Sequence, residues 1–180
     1  MKKKIALVSG SLLIIIVAVL VFNSDWFSRI PYHATLYSER EEINEMVRPA
    51  FLDDNKVYGA YYVNPACLED SDEYISEYYR DKESPKTRTF LIKDKETYKE
   101  IFYDDALSVN FEKEMLVLHI FTKHHPRGYS LKEIRVQDDT LEIDIKVDSS
   151  RRADAVRPGQ SFVVIKMKKL DVSNVEVFRL

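Results

Sequence analysis

Cys67 is the sole cysteine of the chain, and three of its four histidines, His119, His124 and His125, lie close together in sequence. A thiol nucleophile needs a base that draws off its proton, and histidine is the usual one. The surroundings speak against that use. Asn64-Pro65-Ala66-Cys67-Leu68 forms no nucleophile elbow, and a lone cysteine more often serves as a small apolar residue. The histidines would also suit zinc, which takes such ligands in tetrahedral geometry. Their spacing does not enforce that geometry, because His119 falls inside an apolar run and the His124-His125 pair falls after it. They read as one core or edge histidine and two exposed turn histidines. Asp53-Asp54-Asn55 lacks the spaced acidic ladder and terminal Glu of a calcium loop, so it reads as a surface turn. The acidic group Glu69, Asp70, Asp72 and Glu73 reads as a solvated loop. No Gly-rich phosphate loop, serine elbow or paired-histidine metal motif occurs. No catalytic, cofactor-binding or metal-binding residue is assigned, no cofactor is expected, and the chain is expected to act without catalysis.

The residue types that point to binding are aromatic. Ten of the eleven tyrosines lie between Tyr32 and Tyr103, and the remaining one is Tyr129. Tyrosine joins a large apolar ring to a hydrogen-bonding tip, which suits both protein interfaces and half-buried packing on a sheet. Tyr58, Tyr61, Tyr62, Tyr74 and Tyr78 are the candidate interaction residues of this half. Arg151-Arg152, with Arg157, lies in a polar connection that reads by default as a solvated loop; as an interaction site it suits an anionic protein partner.

The elements that must position these residues are organised around Phe111 to Val147. Met115 to Thr122 is an almost unbroken apolar run, as expected of a strand covered on both faces. Tyr129 to Gln137 is a looser strand with Ile134 and Val136 as its inward pair. Thr140 to Asp148 alternates, with Leu141, Ile143, Ile145 and Val147 on one face. Asp138-Asp139 is a hairpin signal, and His125-Pro126-Arg127-Gly128 is a second turn. Thr87 to Lys93, Ser161 to Met167 and Asn174 to Leu180 add strands. Asp94 caps a short helix whose Tyr98, Ile101 and Phe102 make one apolar side. Ser38 begins a helix signature ended by Pro49, Lys56 to Asn64 reads as a strand, and Glu73 to Arg80 is helix-like. The fold class is α+β, mainly antiparallel sheet, in a sandwich or open barrel with one or two short helices.

Three lysines precede Ile5 to Phe22, a run without charge. As a helix it spans about 27 Å, close to a bilayer core of about 30 Å. The flanking lysines favour the cytoplasmic side, which sends the rest of the chain outward. The expected localisation is a single-pass cell membrane protein with an extracytoplasmic C-terminal domain, and the alternative is secretion after signal cleavage. The expected organisation is a signal anchor over 1–23, a juxtamembrane segment over 24–37 with Trp26 and Phe27 at the interface, a helix and tyrosine-rich segment over 38–86, and a β domain over 87–180. Lys82 to Lys86 is the internal boundary. With one cysteine, no internal disulfide can staple the domain. Setting aside the three leading lysines leaves the other basic residues outnumbered by 30 acidic ones. That balance speaks against nucleic acid and against a polybasic grip on lipid.

The succession of Phe90-Leu-Ile-Lys-Asp-Lys-Glu-Thr-Tyr entering Ile101-Phe102, Phe111 with Met115-Leu-Val-Leu, Gly128-Tyr129-Ser-Leu, Leu141 to Val147 and Phe162-Val-Val-Ile-Lys resembles the C-terminal domain of the PrcB family of protease-complex subunits. The similarity spans about Thr87 to Lys168, with Gly128 and Tyr129 as its turn motif. Arg127-Gly128-Tyr129 stands where the family usually shows Gly-Gly-Tyr, and Gln160-Ser161-Phe162 where it shows a proline-containing stretch. The resemblance implies a secreted or surface β domain that associates with, and stabilises, a protease, and it brings no catalytic residues. The expected function is thus a membrane-anchored protein-interaction module, an accessory or stabilising subunit of a surface protease; the alternative is a domain that binds a small ligand or an envelope polymer.

Overall fold

The longest strand pairing in the protein joins β5 (Glu114–Lys123) to β8 (Gly159–Lys168), antiparallel along the full length of both. The computed structural model describes residues 31–38, 46–63, 76–104, 106–123, 128–148 and 158–179. Beside β5 runs β4 (Thr87–Ile92), also antiparallel. The far edge of β8 is shared: β1 (Thr35–Ser38) pairs antiparallel with Val163 to Lys166, and β2 (Tyr61–Val63) meets Gly159 in parallel. β3 (Ser76–Tyr78) extends the sheet as the antiparallel partner of β2. A second sheet holds β6 (Gly128–Gln137), β7 (Thr140–Asp148) and β9 (Asn174–Arg179). β6 and β7 are antiparallel, whereas β9 lies parallel to β7.

Alternation along the central strands explains the layering. Leu116, Leu118 and Ile120 of β5, with Phe162 and Val164 of β8, join one core with Val47, Val57, Ala60, Tyr98, Ile101 and Phe102. Met115, Val117 and Phe121, with Val163, Ile165 and Met167, join the other core with Ile134, Leu141, Ile143 and Ile145. Two sheets thus face each other, and the larger one carries helices on its outer face. The apolar run of β5 is continuous because both of its faces are covered. Each such aliphatic side chain contributes about 1.5–3 kcal/mol on burial, which is how a chain with one cysteine holds its sandwich together.

Helix α1 spans Pro49–Asp54 and helix α2 spans Lys95–Ile101. Asp94 caps α2 as its sequence predicts: its carboxylate accepts from the Thr97 backbone N–H at 2.8 Å and the Thr97 hydroxyl at 3.0 Å. Asp138 and Asp139 both take positive φ, 46° and 67°, which is what a two-residue hairpin turn matching strand twist requires.

Several expectations are corrected. Pro49 starts a helix instead of ending one, because its fixed φ and missing N–H suit a first helical position. Ser38 ends β1, and Tyr37, expected in the juxtamembrane segment, pairs with Val164 and packs on the core. Of Lys56 to Asn64, the described strand is Tyr61–Val63; Gly59 breaks the run with a φ of 86°. Where a helix was expected in Glu73 to Arg80, Ser76–Tyr78 is a strand, in keeping with the β preference of tyrosine. Gly128 and Tyr129, the turn motif of the resemblance, open β6; Gly128 thus leaves the expected turn, while Tyr129 lies in the strand expected from Tyr129 to Gln137. Val136, expected inward, is 42% exposed, while Ile134 is 3% exposed. A bulge between Leu131 and Glu133 switches the parity of β6 ahead of both residues, and Val136, on the face of Ile134, lies beside the Asp138-Asp139 turn at the open end of the strand. Residues 82–86, expected as a boundary, connect two strands of one sheet. The apolar run 5–22 and residues 39–45 of the helix signature lie outside the described residues, among which no helix is long and apolar enough to cross a membrane; Val47, of the expected helical stripe, instead forms an antiparallel bridge with Phe102.

Candidate functional site

β2 and β3 are short, and their register puts Tyr61 directly opposite Tyr78. The rings are tilted by 44° with centroids 4.7 Å apart. The Arg80 guanidinium lies 5.0 Å from the centre of the Tyr78 ring. Such an aromatic pair adds about 0.5–1.5 kcal/mol beyond its buried area, and an exposed cation over a ring about 0.5–1 kcal/mol. Tyr61 and Tyr78 are half-buried and Arg80 is exposed, so one flank of the group is open to solvent.

The backbone around this group is tied down. The Tyr61 N–H donates to the Pro158 carbonyl at 2.6 Å, and the Tyr79 N–H to the Ala60 carbonyl at 2.9 Å. Tyr79 Oη and Ser84 Oγ are 3.1 Å apart, and Ser84 Oγ donates to Asp81 at 3.1 Å. The Lys56 ammonium lies 6.0 Å from the centre of the Tyr79 ring. Gln160 links two elements, accepting from the Val57 N–H at 3.1 Å and donating to the Leu52 carbonyl at 2.9 Å. The Tyr58 carbonyl accepts from the Thr122 hydroxyl at 3.0 Å, and its N–H donates to Pro85. A rigid support with an aromatic and cationic flank is the result.

Of the tyrosines singled out by sequence, the structure brings Tyr61 and Tyr78 into contact and places Tyr58 three residues before the start of β2. Tyr62 lies in β2 opposite Glu77. Tyr74, Arg151 and Arg152 lie outside the described residues, as do Cys67, His124 and His125. Tyr129 is half-buried and meets Phe121 edge-on at 5.4 Å, which makes it a packing residue between the sheets. His119 is 2% exposed, stacks 5.7 Å from Phe121, and its Nδ1 lies 2.8 Å from the Thr89 hydroxyl. It is the core histidine its apolar surroundings predict. Among the described residues, no group of three His, Cys, Asp or Glu is placed to hold a metal.

A feature the sequence did not flag is an open cleft of about 620 Å³ lined by Lys93, Asp94, Lys95, Val109, Asn110, Phe111, Glu112 and Lys169. Beside it lies a second hollow of about 370 Å³, with Tyr98, Leu107 and Ser108 in its wall. Two of the lysine ammonium groups of the larger cleft are already engaged. Lys169 Nζ donates to the Phe111 carbonyl at 2.7 Å and the Lys93 carbonyl at 3.0 Å, and Lys93 Nζ donates to the Val172 carbonyl. Nearby, the Glu114 carboxyl is held below its usual range, first by the Asn110 N–H at 2.8 Å and then by Lys166. None of Tyr58, Tyr61 and Tyr78 lines either hollow. No sequence signal marks these clefts, because they are made by strand ends and a loop brought together by topology.

Compared with family models, with curated proteins and with solved structures, the chain matches none of them.

Proposed function

We propose that this chain is a membrane-anchored, extracytoplasmic protein-interaction module that acts without catalysis and serves as an accessory, stabilising subunit of a surface protease. The observation that carries the binding role is the group of Tyr61, Tyr78 and Arg80 at the outer strand pair of the larger sheet. Tyrosine and arginine dominate the energetics of protein interfaces, because each covers a large area and keeps a directional polar end. Here they sit on a backbone fixed by hydrogen bonds to the Pro158 and Ala60 carbonyls and from the Thr122 hydroxyl, so little ordering entropy remains to oppose binding. The membrane anchor is read from Ile5 to Phe22, and the protease from the resemblance to the PrcB C-terminal domain.

The test is mild cross-linking in membranes, followed by purification of the tagged chain. One stoichiometric surface protease, whose level drops when the chain is deleted, is the expected result. Recovery of envelope polymer alone, or of no protein, would overturn the accessory-subunit reading and favour the polymer-binding alternative.

A further inference from the structure

We infer that the domain stands on the bilayer in one orientation: the end that carries Lys113, Lys168 and Lys169 faces the headgroups, and the end that carries Tyr61, Tyr78 and Arg80 faces away. This rests on the reading of residues 5–22 as a membrane anchor. Thr35 pairs with Lys166, so the chain enters the sheet beside the last residues of β8. The 3-10 turn Pro31–His33, directly before β1, packs against β8 and β6. Glu114 pairs with Lys168 and Ile92 with Leu116, which brings the start of β5, the end of β4 and the larger cleft to this same end. The Asp138-Asp139 hairpin joins them, accepting from the Ser173 N–H at 3.1 Å. Tyr61, in contrast, pairs with Gly159, the first residue of β8, and Tyr78 lies opposite Tyr61. At about 3.3 Å per residue, the stretch from Gly159 to Lys168 separates the two ends by about 30 Å.

The length of the tether decides which end is down. Residues 23–30 join Phe22 to Pro31. Fully extended, that connection reaches about 30 Å. Crossing the headgroup layer uses about 5–8 Å of it. What remains is shorter than β8, so the domain cannot stand inverted, with the tyrosine end down and β8 along the membrane normal, while the anchor stays seated. Charge does not oppose this placement. Lys93, Lys95, Lys113, Lys168 and Lys169 are interspersed with Asp94, Glu112, Asp138, Asp139 and Asp171 at the lower end, so a near-neutral face meets the headgroups without a polybasic grip. The partner surface is therefore held about 30 Å beyond the lower end. It fits a protein with an extracytoplasmic body, and it is out of reach of a lipid headgroup or a partner confined to the bilayer.

The test uses the full chain with Cys67→Ser and a single new cysteine carrying a fluorescent donor, reconstituted into phosphatidylcholine vesicles with a headgroup-linked acceptor dye. Energy transfer from Lys168→Cys is expected to exceed that from Arg80→Cys severalfold. Lys113→Cys and Glu83→Cys supply a second pair, should either first variant fold poorly. Equal transfer from the two ends, or the reverse order, overturns the orientation. Failure of the chain to float with the vesicles removes the anchor reading itself, and the orientation with it.

Discussion

Tyr61 and Tyr78 face each other across β2 and β3 with ring centroids 4.7 Å apart, and Arg80 covers the Tyr78 ring at 5.0 Å. Tyr78 is the shared member of both contacts. Tyr78→Ala should therefore weaken partner capture most, by tenfold or more, as expected when a central interface anchor worth about 1.4 kcal/mol or more is truncated. Arg80→Ala should cost less, because an exposed cation over a ring is worth only about 0.5–1 kcal/mol. Tyr61→Phe keeps the ring and should bind nearly as the wild type does. Quantitative pull-down of the cross-linked partner checks the order, and equal capture by all three variants would remove the patch from the interface.

Asp94 offers a stability prediction with a definite sign. Its carboxyl lies below the usual range, chiefly because the Thr97 N–H donates to the charged form, with the Thr97 hydroxyl next. A depressed pKa in the folded state means that the stabilisation is complete above the ordinary carboxyl value near 4 and is lost as pH falls through the lower folded value. Asp94→Ala should thus destabilise the domain by about 0.5–2 kcal/mol at pH 7. Denaturant titrations of wild type and variant should converge below about pH 4.

His119 makes a separate case, since its imidazole is buried against Phe121 and meets the Thr89 hydroxyl at 2.8 Å. Thr89→Val keeps the shape of that side chain and removes its polar atom. The expected cost is about 1–3 kcal/mol, because the Nδ1 of a buried imidazole loses its hydroxyl partner. Partner capture should be unchanged at temperatures where the variant is folded. A loss of capture without a loss of thermal stability would instead give His119 a functional part.

Much of the sandwich was legible because its strands repeat one simple instruction. The unbroken run of β5 and the alternation of β7 state how many faces of each strand are covered, and both are as their patterns predict. The cap at Asp94 and the turn at Asp138-Asp139 were legible for a local reason, since each depends on residues next to it. Long-range facts were not. Nothing in Asn174 to Arg179 says that β9 lies parallel to β7, and nothing in Lys169 says that it reaches the carbonyls of Lys93 and Phe111. The tyrosine segment misled where its periodicity fits two elements. Ile75 and Tyr79, or Tyr74 and Tyr78, suit one helical face, yet pairing of Ser76–Tyr78 with β2 overrides that spacing. For the site, residue type pointed to Tyr61 and Tyr78, but their mutual contact and the Arg80 cover come from the β2–β3 register alone.

The bulge in β6 yields a last test of how the second sheet is packed. Ile143 lies fully buried in β7 opposite Ile134, whereas Val136 sits opposite Leu141 at the open end of the same face. If inward parity alone set the energetics, Val136 and Ile134 would matter alike. Exposure says otherwise, since a side chain that stays largely in water in the native state loses little on truncation. Ile143→Ala should cost about 2–5 kcal/mol through lost burial and the cavity left behind, while Val136→Ala should stay within about 0.5 kcal/mol. Deleting Lys132, the extra residue of the bulge, should shift Ile134 and Val136 to the opposite face or Tyr129 and Leu131 out of the core, and so destabilise the domain more than Val136→Ala does. Urea titrations of the three variants decide the matter, and a large loss for Val136→Ala would mean that the open end of β6 is covered.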